Sequence, residues 1–180
     1  MGSDSPEGAF GGTETGRLAA RLGQCLRGRR LSFTTAESCT GGLVAAAVTS
    51  VAGSSAWFAT GFVTYANEAK VRLLGVDETT LARQGAVSEA VVREMAAGAR
   101  ERAAADVAVS VSGVAGPGGG SVAKPVGTVW LAWALPDGRV EASLHRFPGG
   151  RETVRARAVS AALHGTISRI RYPSQDSLER

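Results

Sequence analysis

Apolar residues at positions 18, 22, 25 and 26 fall at i, i+4, i+7 and i+8, one face of a first helix closed by Gly28. Cys25 is then a core residue. Residues 31–36 read as a short strand, and the alanine- and valine-rich stretch 40–51 as the helix that follows it, ended by Ala52-Gly53-Ser54-Ser55. Aromatic and β-branched residues crowd 56–65, as in a strand. Asn67 then serves as N-cap of a short helix that ends near Gly75 and carries Lys70 at its third position. A further short helix is predicted over 77–83. Ser88 opens a longer one over 89–105, with Val91, Val92, Met95, Ala96 and Ala99 as its buried stripe. The alternation in 106–114 marks a strand, and 127–135 and 140–147 flank Pro136-Asp137-Gly138 as a hairpin. A last helix over 151–170 buries Val154, Ala158, Ala161, Ala162 and Gly165 and turns Arg157, Ser160 and His164 to solvent.

Strands alternating with helices, plus one hairpin, predict an α/β fold: a single layered domain with a mixed, mostly parallel β-sheet flanked by helices. Residues 1–16 hold little to bury and read as a disordered N-terminal tail, 17–171 as the folded domain, and 172–180 as a loose C-terminal tail. The turns after the first three strands share one rim if those strands run parallel, and ligands of such sheets collect there.

Composition narrows the function classes. A chain of 180 residues with 44% apolar content fits one domain. The formal charge of +4 is scattered, although six of the last thirty residues are arginine, so an anionic small ligand is favoured and no nucleic-acid partner is expected. No apolar run of membrane-spanning length and no signal peptide is seen, which predicts a cytoplasmic protein with no membrane partner. Cys25 and Cys39 lack the spacing of a disulfide framework or a zinc site, so no metal is expected.

Candidate chemistry centres on Ser38. It sits where an apolar strand passes into Thr40, Gly41 and Gly42 and then a helix, whose first N–H groups have no intrahelical partner and could hold an oxyanion. A serine there can equally be a plain N-cap. A hydroxyl nucleophile needs a base. The two histidines fall in a hairpin strand and on a helix surface, which argues against a Ser-His-Asp arrangement. Lys70 and Lys124 are the only lysines, and Lys70, just after a strand end, is the better base candidate, with Tyr65 able to share the proton. Alternatively Lys70 solvates its ammonium and Tyr65 caps a core. The glycine-rich loop from Gly116 to Gly120 either cradles a phosphate through its N–H groups or is an ordinary turn; it matches neither a nucleotide-triphosphate loop nor a dinucleotide fingerprint. Arg151 and Arg155, at the start of the last helix, are the arginines best placed for an anionic group, or are simply solvated.

Six motifs, in order, resemble the CinA C-terminal domain family, that of nicotinamide mononucleotide deamidases: Thr34-Thr35-Ala36-Glu37-Ser38-Cys39-Thr40-Gly41-Gly42; Ala52-Gly53-Ser54-Ser55; Gly61-Phe62-Val63-Thr64-Tyr65 with Asn67-Glu68-Ala69-Lys70; Gly85-Ala86-Val87-Ser88; Ser112-Gly113-Val114-Ala115-Gly116-Pro117; and Lys124-Pro125-Val126-Gly127-Thr128-Val129. The resemblance spans residues 18–170. It implies hydrolysis of the carboxamide of nicotinamide mononucleotide to nicotinate mononucleotide and ammonia in NAD salvage, without metal or organic cofactor, by a homodimer or higher homo-oligomer. It places the catalytic serine on Ser38 and the lysine and tyrosine on Lys70 and Tyr65, with substrate contacts expected from Thr40, Gly41, Gly42, Gly113, Gly116 and Arg151. Other members carry leucine at the position of Cys39, which implies that the thiol is not the nucleophile. Larger members have an additional N-terminal domain for which 180 residues leave no room, so that domain's activity is expected to be absent. The competing reading is a non-catalytic binding module in DNA uptake or damage response.

Overall fold

The computed structural model describes residue 10 and residues 12–171, the side chain of residue 171 excepted; most of the two expected tails lies outside them. Helix α1 (Glu14–Arg29) leads into β1 (Phe33–Glu37), α2 (Leu43–Thr49), a 3₁₀ turn at Ser54–Ala56 and β2 (Phe58–Val63). Then come α3 (Asn67–Leu74), α4 (Glu78–Gln84), α5 (Glu89–Arg102), β3 (Val107–Gly113), the hairpin β4 (Thr128–Ala134) and β5 (Val140–Arg146), and α6 (Arg151–Arg171). Thr13 caps α1 by accepting the Gly16 N–H, so the helix starts inside the stretch expected to be tail. Thr15 Oγ1 lies 3.1 Å from Ser160 Oγ, tying α1 to α6 on a face of α6 that the sequence assigns to solvent.

The five strands form one sheet in the order β2-β1-β3-β4-β5. β1 pairs parallel with both β2 and β3, while β3–β4 and β4–β5 are antiparallel. The sheet is therefore mixed, with β5 pointing the same way as the three parallel strands and β4 alone reversed.

Period two sorts the sheet's side chains into two cores. Val107, Val109, Val111, Val129, Leu131 and Trp133 face the layer of α1, α2 and α6. Ala36, Ala108, Ala132 and Ala134 face the α5 side, where α3 also packs. The second face is built of small residues, and its two serines bond directly to the backbone lying over it: Ser110 Oγ donates to Val92 O at 2.6 Å and Ser112 Oγ to Ala86 O at 2.8 Å. With helices on both faces, β1 is buried at all five positions instead of alternating.

Close packing on this side also fixes Gly98. A Cβ added there would lie 1.8 Å from the carbonyl oxygen of Leu74, a backbone atom that cannot swing away. Gly98→Ala is expected to lower stability by about 1–3 kcal/mol, since the α3–α5 pair must move apart. Thermal unfolding checks this, against Gly28→Ala, where nothing lies within 4 Å.

β1 connects to β2 through α2 on one face, and β2 to β3 through α3, α4 and α5, with α5 on the other. The chain thus leaves β1 toward one edge and returns to its opposite side, which opens a crevice beyond the carboxyl ends of these strands.

Candidate active site

Ser38 follows the last residue of β1, and its N–H donates to Val111 O of β3 at 2.9 Å, so the sheet ladder holds its backbone. The chain then turns on itself: Gly41 N–H donates to Ser38 O at 3.0 Å, and Gly41 and Gly42 take φ of 59° and 93°. Two left-handed residues cannot belong to a right-handed helix, so α2 starts at Leu43 instead of Thr40.

Lys70 is 0% exposed, and its Nζ lies 3.2 Å from Ser38 Oγ. The same Nζ donates to Thr64 O at 2.7 Å and Tyr65 O at 3.2 Å, with Ala66 O at 3.5 Å. Thr64 is itself anchored, its N–H donating to Glu37 O at 2.8 Å. Asn67 is not the cap of α3 but its first residue; Ala66 precedes the helix and offers no side-chain cap. Lys70 is therefore fourth in α3, and its N–H already bonds Ala66 O, so the helix terminus acts on it less than the sequence suggests. Burial is what opposes its charge, and it holds the Lys70 pKa below the ordinary lysine value, against the smaller upward pull of Cys39 and Glu68.

A neutral amine has two N–H groups and one lone pair. With two carbonyls at 2.7 and 3.2 Å taking the N–H groups, the lone pair is left for the Ser38 hydroxyl. A seryl oxygen and a buried, charge-averse amine in contact are the parts of a nucleophile and its base.

Cys39 is also buried, and its pKa is pushed up to about 11, chiefly by burial. So little thiolate exists at neutral pH that the thiol is a poor nucleophile. Cys39→Ala is expected to keep turnover within about threefold, because a Cys-to-Ala change at a partly lined wall removes packing alone; steady-state kinetics on the variant decide it.

Tyr65 is 59% exposed, and its hydroxyl meets no catalytic group: Arg151 Nη2 donates to it at 3.1 Å. Arg151 Nη1 donates to Gly116 O at 2.8 Å, so this arginine spans the cleft mouth from β2's end to the glycine loop. Ser38, Cys39, Tyr65, Lys70, Gly113, Gly116 and Arg151 all line one cleft of about 280 Å³, with Ala86, Val87, Ser112 and Val114 as further walls. Gly113 also has a packing reason to be glycine, since a Cβ there would lie 2.7 Å from Val129 Cγ2. Among the described residues, no group of three His, Cys, Asp or Glu side chains could hold a metal.

The expected oxyanion donors are corrected by Glu37. This carboxylate is 0% exposed and accepts from Gly42 N at 3.0 Å, Val44 N at 3.0 Å and Ala45 N at 2.8 Å. With Gly41 N–H on Ser38 O and Leu43 N–H on Thr40 O, the start of α2 is closed. Gly41 and Gly42 cannot hold an oxyanion while these bonds stand. Among the described residues, the N–H of Thr40 has no protein acceptor, while that of Cys39 lies against its own thiol. Neither Glu37 nor this closure is predicted from sequence; the available signal is a lone acid at the end of an apolar strand, five residues before the first N–H it holds.

Arg155 takes a different part from the one expected of it. Its Nε donates to Cys39 O at 3.1 Å and its Nη2 to Thr40 O at 2.9 Å, so it braces the turn from behind. Arg151 alone of the two opens on the cleft.

Residues 15–170 match the family model described as CinA C-terminal domain. Among curated relatives, the chain is 58% identical over 150 residues to a nicotinamide-nucleotide amidohydrolase PncC of Enterobacter agglomerans, covering 83% of this chain and 92% of that one. It is 56% identical over 151 residues to the protein of the same name in Escherichia coli K12, with 84% and 92% covered. Among solved structures, a competence/damage inducible protein CihA from Agrobacterium tumefaciens superposes with a TM-score of 0.86 at 45% identity, covering 88% of this chain and 96% of that one. A competence damage-inducible protein A from Klebsiella pneumoniae gives 0.85 at 44%, with 89% and 99% covered. With nearly the whole described fold matched in sequence and in shape, the chain belongs to the CinA C-terminal domain family.

Proposed function

We propose that this protein is an amidohydrolase that converts nicotinamide mononucleotide to nicotinate mononucleotide and ammonia. The observation that carries the reading is the buried Lys70 Nζ, 3.2 Å from Ser38 Oγ at the wall of a cleft. The substrate is taken from the relatives that this chain matches over 92% of their length and that bear the name nicotinamide-nucleotide amidohydrolase.

Ser38 Oγ attacks the carboxamide carbon as Lys70 takes its proton. The tetrahedral oxyanion is received by the free N–H of Thr40. The proton then passes from Lys70 to the departing nitrogen, so ammonia leaves and an acyl-Ser38 ester remains. Water, deprotonated by the same amine, releases the acid and restores Ser38. Tyr65 contributes through its carbonyl, which holds Lys70, and through its hydroxyl on Arg151; a direct relay from that hydroxyl would require it to leave Arg151.

The nucleotide phosphate is assigned to the cleft mouth. Arg151 is exposed there, and among the described residues the N–H groups of Gly118, Gly119 and Gly120 have no backbone acceptor. Arg151→Ala is expected to raise KM for nicotinamide mononucleotide by about tenfold or more, the loss of one charged hydrogen-bond donor. An unchanged KM would place the phosphate elsewhere.

Ammonia release from nicotinamide mononucleotide, with nicotinate mononucleotide as the matching product, tests the whole reading. A binding module would take up the nucleotide and leave it intact.

A further inference from the structure

Two charged side chains outside the proposed proton path grip the Ser38 turn from opposite sides. Glu37 holds N–H groups: Gly42, Val44 and Ala45 all donate to its two oxygens. Arg155 holds C=O groups: those of Cys39 and Thr40 accept from its Nε and Nη2. Every backbone polar group these two residues engage lies within residues 39–45, and Ser38 precedes that stretch directly.

The peptide unit joining Cys39 to Thr40 is the informative one. Its carbonyl is on Arg155, and its N–H, that of Thr40, is without an acceptor among the described residues. In a trans peptide the C=O and N–H point in opposite directions, so fixing the carbonyl fixes the N–H. Donating to the carbonyl also polarises the amide and strengthens its N–H as a donor. Glu37 removes the alternative, because the helix N–H groups that would otherwise compete for an anion are already bound to a buried carboxylate.

We propose that Glu37 and Arg155 are positioning residues that together hold the Thr40 N–H as the oxyanion donor beside Ser38. This rests on the amidohydrolase reading given above. Neither residue lines the cleft, and Thr40, itself buried, borders it only through the adjoining Ser38 and Cys39, which do line it. Arg155, which the sequence offers as a candidate for an anionic group or as a solvated arginine, binds the chain's own backbone.

The test uses Glu37→Gln and Arg155→Lys. Glutamine keeps the shape but has one acceptor oxygen for three donors. Lysine keeps the charge but cannot span two carbonyls as a fork. Arg157→Lys is the control, since Arg157 sits on the same helix and, among the described residues, bonds only Pro148 O. Three readouts are needed: thermal unfolding, kcat and KM for nicotinamide mononucleotide, and the rate at which a fluorophosphonate labels Ser38. In folded variants the proposal expects kcat to fall by about 10²-fold, the scale of one lost oxyanion donor. KM stays within about threefold, since uniform binding is untouched, and labelling slows in step with kcat because the phosphoryl oxygen of the probe gains negative charge in its five-coordinate transition state, before fluoride leaves, and draws on the same donor.

Full kcat and full labelling in folded variants overturn the proposal. So does a raised KM at unchanged kcat for Arg155→Lys, which would make it a substrate arginine. Loss of folding in Glu37→Gln leaves the decision to Arg155→Lys. If the native chain labels at Ser38 but releases no ammonia, the proposed substrate is wrong and the labelling rates alone judge the two residues; if it does neither, both ideas fail together.

Discussion

Ser38→Ala is expected to abolish ammonia release, lowering kcat by at least about 10⁴-fold, the scale seen when one member of a cooperating catalytic unit is removed. The hydroxyl makes one side-chain contact, the 3.2 Å approach of Lys70 Nζ, and Lys70 keeps Thr64 O and Tyr65 O without it. Stability should therefore change by only about 1 kcal/mol. The same variant should still bind nicotinamide mononucleotide, because Arg151 and the glycine loop do not touch Ser38. Ammonia release, calorimetric binding and thermal unfolding on one preparation separate these effects. Residual turnover near the native value, with Cys39→Ala inactive, would move the nucleophile to the thiol.

Lys70 is expected to be nearly as sensitive. An ordinary lysine has a pKa of about 10.4 and at neutral pH is almost wholly an ammonium that cannot take the seryl proton. Burial moves Lys70 downward and so raises the fraction of free amine. Lys70→Met, similar in volume and uncharged, should fold and bind nucleotide but lose activity by at least about 10³-fold. Lys70→Arg keeps a charge that cannot be shed and is expected to be as inactive. Its larger head must fit where the native side chain is 0% exposed, so Lys70→Met is the cleaner variant.

The pH dependence follows with its sign. Activity needs the free amine, so kcat should climb as pH rises toward the depressed Lys70 value, below 10.5. Stability moves in the same direction: between the folded value and 10.5 the unfolded chain binds the extra proton, and the folded state gains as pH increases. Below the folded value that gain is lost. Lys70→Met should lack both trends. A native-like ascending limb in Lys70→Met would assign the limb to another group.

The alternation of elements and their faces could be read along the chain because helical and strand periods are local. The stripe Val91, Val92, Met95, Ala96 and Ala99 is buried as the spacing requires, and the hairpin around Pro136-Asp137-Gly138 forms where turn chemistry places it. Motif identity was likewise local, so Ser38, Lys70, Tyr65 and Arg151 could be named from the residues alone, and they meet in one cleft.

What each residue touches depended on the third dimension. The sequence makes Asn67 a cap and Lys70 a lysine set against a helix terminus, whereas burial beneath the ends of β1 and β2 is what opposes its charge. It makes Gly41 and Gly42 oxyanion donors, but a carboxylate from the preceding strand had to be folded back before it could be seen that the start of α2 is occupied. It pairs Arg151 with Arg155 as equals, yet they lie four positions apart on a helix whose one end faces both the cleft and the back of the Ser38 turn. Hydrogen-bond partners distant in sequence are chosen by packing, and a backbone N–H carries no mark in the sequence of whether it is already taken. Composition and period determined the layers and the strand ends, and the motifs singled out Ser38 as a candidate; only the tertiary structure decided which donors remain free to meet a substrate, because each donor satisfied inside the fold is one withdrawn from it.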